Sequence, residues 1–214
     1  MREMIEELTA SDLGALLCSK VCHDIISPVG AITNGLELME EDIDGSMRDM
    51  AMDLVKRSAT QASAKLKFAR IAYGAAGSAG AEIDTGDAEE VAKGYMASEK
   101  ADIEWQIARQ YLPKNQVKLV LNLLLLAMNC VPQGGKIFIS MEGNAAEPGF
   151  KLLCEGRNAR VAPAVADMVA GTAKNATVDA HSVQPYYAGL LARLSGLQVT
   201  MTMECEAALI VARS

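Results

Sequence analysis

Aromatic side chains are scarce in this 214-residue chain, with three Phe, one Trp and five Tyr. With half the residues still apolar, that scarcity argues for packing by alanine, leucine and methionine, which suits helix against helix better than an aromatic-rich sandwich. Histidine is scarcer, with only two residues. The five cysteines form no C-x-x-C pair. A structural zinc site needs about four converging ligands, so the expectation is buried thiols acting as small apolar groups and no bound metal. No long basic run exists and the formal charge is −7, which argues against a nucleic-acid backbone as partner. A Walker A sequence and the G-x-G-x-x-G pattern are both missing. No secretory leader is visible. The longest nearly uncharged run, residues 119 to 135, is broken by Asn122, Asn129, a Pro and two Gly, and reads as a buried helix, not a membrane span. The expectation is a cytoplasmic protein without membrane or nucleic-acid partners.

What is present is helical periodicity. Leu13, Leu17, Val21, Ile25, Pro28, Ile32, Leu36, Met39 and Ile43 step by three or four over about eight turns. A second stripe (Leu16, Cys22, Ile26, Val29) makes the apolar face broad. Gly45 reads as a turn and Ser46 as an N-cap. A second helix carries Ala51, Val55, Ser58, Ala62, Leu66, Ala69 and Tyr73 at the same spacing. Two long helices with a short loop form an antiparallel hairpin. Pairing with a second copy into a four-helix bundle would hide the broad stripe, so a homodimer through residues 11 to 74 is expected; a helix at 89 to 98 or the second domain are the competing covers. The glycine- and alanine-rich stretch 74 to 86 reads as a connection between domains. Residues 86 to 214 then alternate helix and strand, which predicts an α/β sandwich with helices on one side of a mixed sheet. The fold class is α+β, with domains at 1–77 and 78–214.

The stretch "SKVCHDIISPVGAITNG" holds His23. Helical spacing puts Ser19, Ser27, Gly30 and Asn34 on its side, all small or polar, while the seam through Val21 and Ile25 lies roughly 200° away. An exposed imidazole on a low face leaves room for another protein. A histidine that merely sits on a helix surface is the plain alternative. Lys20 lies one turn before it, and Asp24 is placed to reach a ring nitrogen and select a tautomer. Pro28 lacks an amide proton, which predicts a kink or loosened turn and an unpaired Asp24 carbonyl. A hairpin folding about residue 44 or 45 sets His23 level with residues near 66, which brings in Lys65, Lys67 and Arg70. His181, with no triad or metal partner in sequence, reads as structural or simply exposed.

"CHDIISPVGAI" resembles the phospho-accepting motif of two-component histidine kinases, where His, an acid and a Pro five residues after the His lie on the first helix of a dimeric hairpin. With the alterations that follow, the chain resembles the histidine phosphotransferases, whose second domain is a degenerate kinase ATP-binding domain. The kinase motif N-x-x-x-N matches "NLLLL" with Asn122 kept and the second asparagine replaced by Leu126. Leucine cannot coordinate Mg²⁺, which takes oxygen ligands. In "CEGRNA", Cys154 stands at the adenine-reading acid and Asn158 at a glycine; Glu155 is one position off and so on the other side of a strand. Tyr186 and Tyr187 occupy the place of glycines that admit phosphates.

The resemblance implies phosphoryl relay without ATP. An aspartyl phosphate of one receiver domain is attacked by His23, and a second receiver's aspartate takes the group on. Asp24 is the assisting acid. Ser19, Lys20, Ser27, Gly30, Ala31, Asn34, Lys65, Lys67 and Arg70 frame docking, and the receiver brings Mg²⁺. The implied partners are the receiver of a hybrid histidine kinase and cell-cycle response regulators resembling CtrA and CpdR. A working ATP-dependent kinase fragment and a non-catalytic dimeric adaptor that sequesters receivers are the alternatives.

Overall fold

The computed structural model describes residues 8–42, 45–74, 80–143, 148–173 and 177–214. Helix α1 (Ala10–Glu41) begins at Thr9, whose side chain caps the Asp12 amide at 3.1 Å, and runs through Pro28 without a break. Helix α2 (Arg48–Ala72) returns along it. The cap expected at Ser46 falls instead at Met47, which offers no side-chain acceptor; the turn is closed by the Met47 amide donating to Asp42 Oδ2 at 3.1 Å. Gly45 adopts φ 74°, as a tight turn requires. Ile43 and residue 44 lie outside the described residues.

The two helices approach one another closely at Gly35. A Cβ there would come within 2.7 Å of Val55 Cγ2 and 3.2 Å of the Ala51 carbonyl oxygen. Pro28, Gly35, Ala51, Ser58 and Ala62 fill the seam. Leu36 and Leu66 of the two stripes are exposed in the single chain, as are Cys22, Ile26 and Val29 of the second stripe of α1. Helix α1 is long and apolar enough to cross a membrane by length and composition alone.

The stretch 74 to 86 is not simply a connection. Its far end forms a short strand, β1 (Glu82–Asp84), and opens α3 (Thr85–Met96), capped by Asp84. Strand β1 pairs antiparallel with β3 (Tyr111–Pro113). Neither three-residue strand is long enough to show a period of two. Residues 75–79, and with them the proposed domain boundary, lie outside the described residues.

The remaining elements are β2 (Ala101–Trp105), α4 (Lys114–Cys130), β4 (Gly135–Gly143), β5 (Pro148–Glu155), α5 (Pro163–Ala170), α6 (Val183–Leu194), β6 (Gln198–Glu204) and β7 (Ala207–Arg213). The sheet order is β2-β4-β5-β7-β6, with β2 parallel to β4 and every other pair antiparallel. Alternation along the strands sets one face. Ile137, Ile139, Phe150, Leu152, Cys154, Ala208, Ile210 and Ala212 are buried, whereas Lys136, Phe138, Ser140, Lys151 and Leu153 between them are half-buried or exposed. Helix α4, almost wholly buried, lies on the covered face with α6 beside it. Phe68 and Ala72 at the end of α2 enter this same core, and Leu8, Leu16 and Leu17 pack on a smaller cluster around Met168, Val178, Val183 and Tyr186.

Candidate functional site

His23 projects from α1 with 87% of its side chain exposed. Its Nδ1 lies 3.6 Å from Asp24 Oδ1, an electrostatic contact just longer than a hydrogen bond. The other carboxylate oxygen of Asp24 accepts from Lys20 Nζ at 3.0 Å. Residues one turn apart meet on a helix, so Lys20 fixes the carboxylate while Asp24 attends the inner ring nitrogen. Among the described residues Nε2 of this exposed ring has no hydrogen-bond partner. Lys20 is thus already paired within the helix.

A cleft of ≈370 Å³ opens beside this ring. One wall is α1, through Ser19, Lys20, His23 and Asp24; the other comes from α4 and the approach to α6, through Leu125, Met128, Asn129, Ala180, His181 and Gln184. Tyr95 of α3 closes it, and burial, then the charge of Asp24, pushes its phenol well above the usual tyrosine range. Sequence reasoning missed His181 as a neighbour of His23, since only the packing of α6 against α1 joins them.

Of the other expected docking residues, Ser27, Gly30 and Asn34 continue the exposed edge of α1 beyond the cleft, with Ala31 half-buried. A Cβ added at Gly30 would meet nothing within 4 Å. Lys65 is turned inward: it pairs with Glu99 at 3.8 Å and lies over the Tyr95 ring, 5.7 Å from its centroid. It lines a small crevice with Asp24 and not the surface. Lys67 lines a groove between α2 and α3 with Glu90 and Gly94. Arg70 is exposed. These three basic residues do not join His23 in its cleft.

The positions that the resemblance aligns with nucleotide contacts are arranged differently. Asn122 is fully buried: its Nδ2 donates to the Lys118 carbonyl at 2.7 Å and the Ala72 carbonyl at 3.2 Å, and its Oδ1 accepts from Gln184 Nε2 at 2.6 Å. Gln184 Oε1 accepts in turn from Tyr73 Oη at 2.6 Å. Every polar atom of that amide pair is engaged in joining α2, α4 and α6. Leu126 and Cys154 are buried in the core. Contact with Cys130, then burial, raises the Cys154 thiol, which stays protonated where the resemblance had an acid. Asn158 takes φ 58°, a left-handed conformation that asparagine tolerates where glycine is the usual choice. Tyr186 and Tyr187 are buried: the Tyr186 oxygen accepts from the Leu8 amide at 3.2 Å, and the Tyr187 ring lies 6.0 Å from Tyr73. Among the described residues no group of three His, Cys, Asp or Glu side chains is placed to hold a metal ion.

The histidine phosphotransferase C-terminal domain family matches residues 85–207. The chain belongs to the histidine phosphotransferase family. Phosphoryl transfer is therefore the chemistry of this phosphotransferase. Among curated proteins it is similar to the protein phosphotransferase ChpT of Brucella abortus (strain 2308), 52% identical over 199 residues, 93% of this chain and 94% of the relative. A solved bacterial phosphotransferase is 48% identical, with 98% of this chain and all of that chain covered at a TM-score of 0.90. The histidine kinase AdeS of Acinetobacter baumannii aligns at 12% identity and a TM-score of 0.45, too distant to add to the argument.

Proposed function

We propose that this phosphotransferase carries a phosphoryl group between the aspartates of two receiver domains as phosphohistidine on His23 Nε2. The observation that carries the reading is the exposed ring with its Nδ1 side held toward the Lys20-anchored carboxylate of Asp24. Neutral His23, protonated on Nδ1, attacks the phosphorus of an aspartyl phosphate in line. The N–P bond forms as the P–O bond breaks, and the donor carboxylate leaves with the electron pair. The Nδ1 proton stays in place, so the ring becomes positive and Asp24 faces that charge. The second receiver's aspartate then attacks phosphorus and returns the ring to neutrality. Mg²⁺ and a lysine come with the receiver, as the family resemblance implies.

The same proposal holds that the chain does not phosphorylate itself from ATP. Its support is the filling of the nucleotide positions by Leu126, Cys154, Tyr186 and Tyr187 and the engagement of Asn122 in the core. The resemblance points to a hybrid-kinase receiver as donor and to regulators resembling CtrA and CpdR as acceptors. Homodimerisation belongs to this reading too. Exposed Cys18, Cys22, Ile26, Val29 and Leu36 fall within about 80° of one another around α1. A second hairpin covering that stripe completes a four-helix bundle.

The test uses a ³²P-phosphorylated receiver. The intact chain acquires an acid-labile, base-stable label and His23→Ala acquires none. Label on the alanine variant, or a saturable heat on titration with ATP and Mg²⁺, would overturn the reading.

A further inference from the structure

We propose that His181, with Asn129 beside it, holds the phosphoryl group on His23 from the opposite wall of the cleft, so that the C-terminal domain supplies half of the transfer site. The inference rests on the phosphohistidine reading above and adds phosphoryl-binding residues to it. A phosphoryl group brings between one and two negative charges and three acceptor oxygens. On the α1 wall it meets Asp24, a like charge, and Lys20, whose ammonium is already committed to Asp24 at 3.0 Å. The donors that balance those oxygens must come from elsewhere. Across the ≈370 Å³ cleft stand two side chains able to supply N–H groups, the Asn129 amide and the His181 imidazole. Both are exposed, and among the described residues neither side chain has a hydrogen-bond partner.

The backbone carrying His181 is held in place. Asp179 Oδ1 accepts from the His181 amide at 3.0 Å, the Ser182 amide at 2.8 Å and Ser182 Oγ at 2.7 Å. The Ser182 hydrogen bonds, first of all, keep that carboxyl below the usual aspartate range. All three bonds fall on Oδ1, so that oxygen is spent on the turn, while the Asp179 charge also acts on the His181 ring beside it. The walls are fixed relative to one another as well, because Gln184, which lines the cleft, is tied to Tyr73 of the hairpin and to Asn122 of α4. Preset donors facing the place where charge arrives stabilise it without reorganising.

The chain holds two histidines, which makes the test direct. The full chain, labelled with ¹³C at histidine Cε1, is treated with potassium phosphoramidate as a small phosphoryl donor and followed by ³¹P and ¹H–¹³C spectra. Phosphorylation of His23 is expected to move the His181 signal, a movement missing in His23→Ala. The phosphohistidine is expected to hydrolyse roughly tenfold faster in His181→Ala, the loss of one hydrogen bond to a charged group, and to recover partly in His181→Gln, which keeps an N–H donor. A phosphorylated His23 with an unmoved His181 signal and wild-type decay in His181→Ala overturns the inference alone. If no N–P signal forms, the phosphohistidine reading falls and this inference with it.

Discussion

The outer wall of α1 and the inner wall of α4 carry the two motifs, one with a histidine and one with an asparagine, that resemble those of kinases, and they differ in what surrounds them. His23 has kept its motif and its access, with small neighbours on its edge of the helix. Asn122 matches its motif but has no access: it is fully buried, and its amide is spent on Gln184 and two carbonyls. A retained residue does not imply a retained role. What decides is whether its polar atoms are free or consumed.

The harshest way to break this comparison is to restore the acid at position 154. Cys154 is fully buried, so Cys154→Asp places a carboxylate in a core with no cation to pair it. The expected result is a loss of about 3–5 kcal/mol of stability, or an aspartate that stays protonated, with no gain of ATP binding. Urea unfolding and a nucleotide titration measure both. Stability retained together with ATP binding would mean that the pocket is closed only by that one side chain.

Asn122→Ala is next. It removes the acceptor for Gln184 and the donor to the Ala72 carbonyl, leaving buried polar groups unpaired at about 1–3 kcal/mol. The cost should be shared with Gln184→Ala, so the double variant loses less than the sum of the two. Additive losses would show that the Tyr73–Gln184–Asn122 chain is not one unit.

How much of this was legible in the sequence divides along similar lines. The long helices were, because apolar residues repeat over many turns. The histidine face was, because small residues cluster at one angle. The surroundings of Asn122 were not: Leu126 and Cys154 depart from the nucleotide-binding pattern the chain resembles, but the partners of Asn122 lie on α2 and α6, far away in the chain. Gly35 was passed over because a glycine in a helix carries no periodic signal until the crossing with Ala51 and Val55 is seen. Lys65 had the right level along the hairpin and the wrong side of α2, since Tyr95 and Glu99 draw it inward.

On the open wall, Ile26→Glu tests what covers the apolar stripe. Ile26 is 69% exposed in the single chain, so the fold should keep its unfolding midpoint. In a dimer the charge is buried without a partner, and the association should weaken by at least about tenfold, a cost of about 1.4 kcal/mol. Sedimentation velocity across a concentration series reads it. An unchanged dimer would put the interface elsewhere on the hairpin, and a wild-type chain that is monomeric at all concentrations would remove it.

The smallest effect is expected at Asp84, a buried carboxylate whose partner Arg109 reaches the solvent. Its carboxylate accepts from Arg109 at 2.7–3.2 Å and from the Gly86 amide at 2.8 Å, where it caps α3. The Arg109 hydrogen bonds, then the Gly86 amide, hold its pKa below the ordinary aspartate value. A carboxyl depressed on folding adds stability above its unfolded pKa, and that contribution is lost as pH falls through the lower folded value. Asp84→Asn keeps an oxygen for the Gly86 amide but discards the charge. The variant should therefore melt slightly lower than the parent near about pH 7, and the two should converge by about pH 2. Because Arg109 is largely solvated, the gap at neutral pH should be small and should shrink further in high salt. A gap that widens in acid would mean that Asp84 acts through its cap, and not through its charge.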